Sequence, residues 1–457
     1  MTHVEELAEF VRRASYDSIA IDATRALKAR LLDSLGCAIG ALDAEPIRAV
    51  RSYAISAGGP CTLIGAGRGR AETATLYNGA LVRYLDFMDI YMAPKQSGHP
   101  SDNVAPILAA AEEVGATGQE LLVALALAYQ IETRLLDVAP VQENGFDHTV
   151  QLAYSVAGAV AKLRSLDSTR TAHALAIAGV SQQGLIATRV GKLSQWKGLA
   201  SAHHASAALQ AAYLAAAGVT GPLDVIEGKR GVMDSLSCRF SIDWAGEGLN
   251  QVTRTSLKRY VAEGHAQSAI EGILELKAKR GFRAADVSRI SVEIFKQADN
   301  IIGAGKEAGD KHDVATKEQA DHSLPYLLAV ALLDGEVGPA QFESARIKSP
   351  DVQSLLRKVS VDSSWALTRH YPERVPCVVT VTLDNGEELV QRKEDFLGFY
   401  SRPASWNDTV QKFHTLSERH CPQPLREEIV NKVSEIDALS ARDLMATLQQ
   451  VRAANGA

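Results

Sequence analysis

The chain has 457 residues, 46% of them hydrophobic and 22% charged, with a formal net charge of -6. This length exceeds that of one ordinary domain and predicts two, and the slightly acidic balance lacks the basic field that phosphate backbones require, so we expect no nucleic-acid partner. No apolar run approaches the roughly 18 to 20 residues that cross a bilayer, so we expect no membrane association and a cytoplasmic protein.

The N-terminal half has the periodicity of α-helices. Residues 1–13 form an amphipathic pattern with Glu5 and Glu6 near its start, which is unlike a signal peptide. Apolar residues then recur every three or four positions, as at Leu27, Leu31 and Leu35. Further helices are predicted over 104–138, 150–164, 168–186 and 201–218, with Gly115, Gly118 and Gly218 near the breaks and Asp167 as a cap.

The pattern changes after Lys258. Apolar residues around Ile270 predict one helix, and strands are predicted over 287–294, 358–361 and 377–383, the last ending at a turn over 384–386. Helical periodicity returns after about Ser401. We therefore predict a mainly α fold with a large helical domain over 1–255, a smaller inserted α+β domain over 256–400, and C-terminal helices over 401–457 that rejoin the helical domain.

The segment from Arg83 to Pro106 is the most unusual part of the sequence. On a helix, Asp86 and Asp89 would share a face because they are three positions apart. A turn-rich stretch then leads to His99 and a new helix. Two interpretations remain open: Asp86 pairs with Arg83 while His99 lies in an ordinary loop, or the carboxylates and the imidazole carry chemistry.

Isolated polar residues in apolar or glycine-rich surroundings support the second interpretation. Each one alone is typical of a satisfied or solvated group. Together they offer several cations for a multiply charged anion, with acid and base groups for proton transfer. These residues are His148, Arg189, Lys197, Lys258, Arg259, His265, His322 and Tyr326.

Three other features favour structural interpretations. Gly65, Gly67 and Gly69 lack the Lys and the Ser or Thr of a phosphate loop, and a turn after a strand near residues 62–64 explains them. His203 and His204 lie in an alanine-rich stretch without a carboxylate at metal-ligand spacing. The five cysteines are scattered without a Cys-x-x-Cys pair, which disfavours a metal site, an iron–sulfur cluster and a disulfide framework.

Six pieces of the sequence, in order, resemble the MmgE/PrpD family, which includes 2-methylcitrate dehydratase, cis-aconitate decarboxylase and an iminodisuccinate epimerase. The pieces are RYLDFMDIY (83–91), GHPSDN (98–103), FDHT (146–149), TRVGKLSQWKG (188–198), KRYVAEGHAQ (258–267) and ADHSLPYLLAVALLDGEV (320–337). The resemblance implies a helical domain with an inserted α+β lid, an active site in the cleft between them, a homodimer, and no metal or organic cofactor.

The resemblance also implies a set of site residues. Asp89, His99, His148, Lys197 and Lys258 match catalytic positions, and Arg189, Arg259, His265, His322 and Tyr326 are expected to bind substrate. Two departures are expected to alter the substrate end of the pocket. Met88 and Ile90 flank the second aspartate, where relatives carry Asn or Asp and Thr, and Val261 stands where a Pro is common.

The expected activity is that of a hydro-lyase on a small di- or tricarboxylate, 2-methylcitrate or a close analogue. We expect Lys197, Lys258 and Arg189 to hold carboxylates and stabilise an enediolate-like intermediate. His99 and His148 would move protons, and Asp89 would orient His99 or a lysine. The alternatives are decarboxylation of cis-aconitate, epimerisation of an amino dicarboxylate, and a non-catalytic homologue that binds a polycarboxylate.

Overall fold

The computed structural model describes residues 1–56, 58–191, 193–303 and 309–453. Helices hold 57% of the chain and strands 10%, which confirms the mainly α class. The chain divides into two compact units. The helical unit comprises Met1–Thr188, Gly198–Ser256 and Ser405–Ala457, and the mixed unit comprises Arg189–Lys197 and Leu257–Ala404. Within the described ranges, no helix is both long enough and apolar enough to cross a membrane.

Twenty helices and nine strands follow one another along the described part of the chain. The helices are α1 (His3–Arg13), α2 (Ile21–Gly40), α3 (Glu45–Ser56), α4 (Ala71–Tyr84), α5 (Val104–Val114), α6 (Gly118–Val138), α7 (Thr149–Leu163), α8 (Ser168–Ser181), α9 (Ala200–Ala216), α10 (Val232–Ser235), α11 (Gln267–Arg280), α12 (Lys296–Ile302), α13 (Lys317–Ala320), α14 (Leu324–Asp334), α15 (Ser344–Ile347), α16 (Pro350–Leu356), α17 (Trp365–Thr368), α18 (Trp406–Ser417), α19 (Gln423–Ser434) and α20 (Ala441–Leu448). The strands are β1 (Cys61–Leu63), β2 (Gly67–Gly69), β3 (Asp89–Met92), β4 (Ser97–Gly98), β5 (Ser256–Leu257), β6 (Val287–Ile294), β7 (Val359–Ser363), β8 (Cys377–Leu383) and β9 (Glu388–Lys393).

Helix α6 is the central scaffold of the site in the helical unit. It begins at a capping box in which Thr117 accepts from the Glu120 amide and the Glu120 carboxylate accepts from the Thr117 amide. Its middle is buried all round and packs against α7. Gly115, with φ +73°, ends the preceding helix α5, as its position in the sequence predicted. Asp167 caps α8 as predicted, but α8 ends at Ser181 rather than at residue 186.

Two small hairpins interrupt the helices. Strands β1 and β2 pair antiparallel, with Cys61 opposite Gly69, so the turn interpretation of the glycine-rich stretch is confirmed. Strands β3 and β4 pair with Tyr91 opposite Gly98. The prediction that Asp86 and Asp89 share a helix face is wrong. Helix α4 ends at Tyr84, Asp86 adopts a left-handed φ of +53°, and Asp89 begins β3.

The mixed unit is built on a four-stranded sheet in the order β7-β6-β8-β9. Strands β6 and β7 run parallel, whereas β8 is antiparallel to both β6 and β9. Residues alternate between buried and exposed along β6, as the sequence pattern predicts for a half-buried strand. Helix α11 packs against β8 and β9, and α14 packs against β7. The strands predicted over 287–294 and 377–383 are confirmed, and the third lies at Val359–Ser363.

Candidate active site

The GHPSDN motif links the β3–β4 hairpin to helix α5 through a 3-10 turn. A Cβ atom on Gly98 would lie 2.5 Å from Leu136 Cδ1, so α6 packs close to this glycine and a larger residue would displace the Leu136 side chain. At the other end of the motif, Asn103 Nδ2 donates to the Pro100 carbonyl at 3.0 Å and to Glu132 Oε2 at 2.6 Å. The motif is therefore fastened to α6 at both ends.

Asp89 organises the buried side of this motif. His99 Nδ1 lies 2.8 Å from the Asp89 main-chain carbonyl, and because a carbonyl can only accept, Nδ1 donates and Nε2 is the acceptor nitrogen of the neutral ring. The Asp89 carboxylate accepts from the Ser101 amide at 3.0 Å and from the Tyr129 hydroxyl at 2.8 Å. Burial raises the pKa of Asp89, although these donors and the charge of Arg30 oppose the rise.

His148 stands between two carboxylates. Its Nδ1 lies 2.7 Å from Asp147 Oδ1, and its Nε2 lies 3.6 Å from Asp102 Oδ2. The same Asp102 oxygen is 4.0 Å from Arg83 Nε, and Arg83 donates to Asp86 Oδ1 at 2.8 Å. Burial lowers the pKa of Arg83, but Asp86 and Asp102 more than offset this effect, so the guanidinium stays charged. The predicted pairing of Asp86 with Arg83 is thereby confirmed.

The two histidine rings lie side by side in the helical unit. Their centroids are 5.6 Å apart and their planes meet at 70°. His99 is 8% exposed and His148 is 2% exposed, so both rings are largely shielded from bulk water. Each ring is oriented through Nδ1, by a carbonyl for His99 and by a carboxylate for His148. This arrangement is suited to general acid–base chemistry because each base is held by a partner behind it.

Lys197 belongs to a cation-rich cluster in the mixed unit. Asp321 is fully buried, and its Oδ1 lies 3.0 Å from Lys197 Nζ and 2.6 Å from His322 Nδ1. Its Oδ2 accepts from Lys317 Nζ at 2.7 Å. Burial alone would raise the pKa of Asp321, but Lys197 and the neighbouring cations hold it well below its usual value. A single carboxylate therefore faces two lysines and an imidazole.

Glu263 and His265 form a second group in the mixed unit. His265 Nδ1 lies 2.7 Å from Glu263 Oε1, and His265 Nε2 is 3.3 Å from the Tyr371 hydroxyl. Burial raises the pKa of Glu263, but the charges of His265, His322 and Lys258 together lower it to about 2. Lys258 is only 1% exposed. The glutamate thus stays ionised beside His265 and within electrostatic reach of Lys258.

Lys311 connects the two groups of the mixed unit electrostatically. Burial lowers the pKa of Lys311 to about 8, Glu263 and Asp321 oppose the shift, and Lys197 adds to it. Four lysines therefore interact electrostatically with the carboxylate of Glu263 or of Asp321. They are Lys197, Lys258, Lys311 and Lys317. The resulting positive surplus suits a multiply charged anion.

Three predicted substrate-binding residues make other contacts. Arg189 Nη1 donates to the Lys197 main-chain carbonyl at 2.9 Å and so orients the segment that carries this lysine. Arg259 is exposed, and its amide donates to Gln267. Tyr326 is fully buried, its hydroxyl donates to the Gln341 carbonyl, and its ring lies 5.9 Å from that of Phe342.

Several site residues escaped the sequence prediction. Tyr129 and Glu132 project from α6, where they are polar residues in an otherwise apolar run. Asp147 and Asp321 each directly precede a predicted histidine, and both accept from its Nδ1, so the Asp-His dipeptide was a usable signal. Lys311 lies outside the regular helices and strands, with no pattern of its own.

Comparison with known proteins gives matches over most of the chain. Residues 5–245 match the model of the MmgE/PrpD N-terminal domain, and residues 260–436 match that of the MmgE/PrpD C-terminal domain. The chain is 27% identical to 2-methylcitrate dehydratase of Cupriavidus necator, over 93% of this chain and 92% of the relative. It is 26% identical to a probable 2-methylcitrate dehydratase of Saccharomyces cerevisiae (84% of this chain, 79% of the relative). Identity to human cis-aconitate decarboxylase is also 26% (82% and 78%).

Proposed function

The chain belongs to the MmgE/PrpD family, and from that premise we propose that it is a hydro-lyase that dehydrates 2-methylcitrate or a close analogue. The relatives named as 2-methylcitrate dehydratases support the reaction class. The single observation that carries the proposal is the pair of oriented, buried imidazoles beside Asp89 and Asp102. Dehydration needs one group to take a carbon-bound proton and another to protonate the departing hydroxyl.

The cation-rich groups of the mixed unit supply the second requirement. Removing a proton beside a carboxylate builds negative charge on an enediolate-like intermediate, and fixed cations lower the energy of that charge. We assign this role to Lys197 and Lys258, and we assign binding of a remote carboxylate to Lys311. His99 and His148 are assigned the proton transfers.

The same proposal includes two features of the whole protein. The mixed unit acts as a lid, and closure excludes water from the charged intermediate. The protein works as a homodimer, which analytical ultracentrifugation tests directly: a species of twice the 49.0 kDa chain mass is expected, and a monomer would contradict this part.

Product analysis tests the reaction. Purified protein is incubated separately with 2-methylcitrate, citrate and cis-aconitate and followed by NMR and by ultraviolet absorbance. Dehydration gives a new conjugated double bond without release of CO2, fastest with 2-methylcitrate. Absence of turnover with all three would contradict the proposal, provided that circular dichroism shows a folded protein.

A second candidate is decarboxylation of cis-aconitate, favoured by the 26% identity to the human decarboxylase. Both reactions place negative charge next to a carboxylate and use the same proton-transfer groups. Release of CO2 from cis-aconitate, measured in the same experiment, would assign the protein to this reaction. Isotope exchange with inversion of an amino dicarboxylate would instead indicate an epimerase.

A further inference from the structure

Glu132 is a buried acid that the proposed mechanism does not use. It is 0% exposed, in the middle of α6. Its Oε2 accepts from Asn103 Nδ2 at 2.6 Å, whereas Oε1 has no hydrogen-bond partner among the described residues. A Cβ atom on Gly98 would lie 3.2 Å from Oε1, so this oxygen faces the main chain directly before His99. Burying an ionised oxygen without a donor is costly.

The surroundings of Glu132 add negative charge. Asp89 and Asp102 both raise its pKa, and the charge of His148 opposes them. Arg30, on helix α2 that also packs against α6, acts on Asp89. An ionised Glu132 would therefore add a further negative charge beside Asp89 and Asp102, the two aspartates next to the imidazoles.

We propose that Glu132 is a positioning residue that works as the uncharged acid, with its proton on Oε1, and that loss of this proton inactivates the site at alkaline pH. This inference rests on the proposed function. As a neutral acid, Glu132 accepts from Asn103 through Oε2 and so fixes the turn that presents Asp102 to His148. As an anion, it adds repulsion toward Asp102 and toward an anionic substrate.

The expected titration range follows from burial. Burial raises the pKa of Glu132 from 4.5 to about 8, with the remaining carboxylates adding to the shift. Below that pH the acid is neutral, and above it the carboxylate forms. Lys311 loses its proton in the same range, so the alkaline limb of activity should reflect two protons in the wild type.

The variant Glu132→Gln keeps the shape and the neutral hydrogen bonding but cannot ionise. At pH 7 we expect the C=O stretching band of a protonated carboxyl group in difference infrared spectra of the wild type, and we expect the variant to lack it. In the wild type this band should disappear as the pH rises, with a midpoint between about 7 and 9. The alkaline limb of kcat should change from a two-proton to a one-proton slope.

Glu112→Gln is the matched control, because Glu112 is also buried in the helical unit but accepts from Thr62 at 2.7 Å and lies outside this cluster. It should leave the alkaline limb unchanged. Either of two results would overturn the inference: no protonated-carboxyl band that disappears in Glu132→Gln, or an alkaline limb identical in this variant and the wild type. Inactivity of the wild type would instead contradict the proposed function, and the infrared titration would still decide the state of Glu132.

Discussion

Lys412, on α18, anchors the segment that carries the two aspartates of the site. Its Nζ lies 2.7 Å from Asp33 Oδ1 on α2 and donates to the Phe87 carbonyl at 2.6 Å. The same Nζ lies 3.7 Å from the centre of the Phe87 ring, in a cation–π contact. Because Phe87 lies between Asp86 and Asp89, Lys412 fixes the main chain of the segment that carries these two aspartates. The variant Lys412→Met tests this role.

The expected cost follows from burial. Asp33 is 1% exposed, and removal of one partner from a buried ion pair typically costs about 3 to 5 kcal/mol because the other charge stays behind. Arg30 also acts electrostatically with Asp33 and the Lys412 side chain is 13% exposed, so we expect the lower end, about 3 kcal/mol. In the double variant Asp33→Asn/Lys412→Met the stranded charge is gone, so part of this loss should be recovered.

Urea unfolding of the wild type, both single variants and the double variant, followed by circular dichroism, measures the cycle. The double variant should be more stable than Lys412→Met, with a coupling free energy of about 1 to 3 kcal/mol. A cost below about 1 kcal/mol for Lys412→Met, or a double variant whose cost equals the sum of the two singles, would refute the buried pair as the anchor.

Three further variants probe the site. His99→Ala should lower turnover by about 100- to 10,000-fold without changing the circular dichroism spectrum, and near wild-type turnover would remove His99 from the proton transfer. Gly98→Ala places a Cβ atom 2.5 Å from Leu136 Cδ1 and should lower the free energy of unfolding by about 1 to 3 kcal/mol in the same urea assay. Unchanged stability would show that the Leu136 side chain or α6 shifts to accommodate the added methyl group. The folded pKa of Asp321 lies below its unfolded value of 3.8, so the stability it contributes is present above pH 4 and is lost as the pH falls. Asp321→Asn should remove that acid-side dependence of the thermal midpoint and lower stability at pH 7 because Lys197 loses its counterion, and an unchanged midpoint-versus-pH curve would contradict this.

Periodicity in the sequence was sufficient to predict most of the helices before residue 217 and three of the four strands in the sheet of the mixed unit. Apolar residues alternate over 287–294 and recur every three or four positions before residue 216 because one face of each strand or helix is buried. This pattern can be read from neighbouring residues alone. The backbone conformation at Asp86 could not be predicted from periodicity. Its left-handed conformation ends the helical path, and nothing in the neighbouring residue types announces a positive φ at a non-glycine position.

Site partners that lie far apart in sequence could not be predicted from spacing. Asp89 and Tyr129 are separated by 40 positions, and Lys197 and Asp321 by 124, so only the tertiary fold brings them together. Polar residues inside an apolar helix, such as Glu132, do give a signal, because an unpaired buried carboxyl is costly and calls for a partner. The identity of that partner, Asn103, still depends on how the helices pack.

Solvent hydrogen exchange at the carbon next to a substrate carboxylate tests the central claim most directly. The protein is incubated with 2-methylcitrate in heavy water, and NMR follows deuterium incorporation at this carbon of the remaining substrate, together with product formation, for the wild type and for His148→Gln. The wild type should exchange this hydrogen during turnover, and the variant should slow both exchange and product formation by about 100-fold or more. Product formation in the variant at the wild-type rate, with the fold intact, would contradict the assignment of proton transfer to the paired histidines.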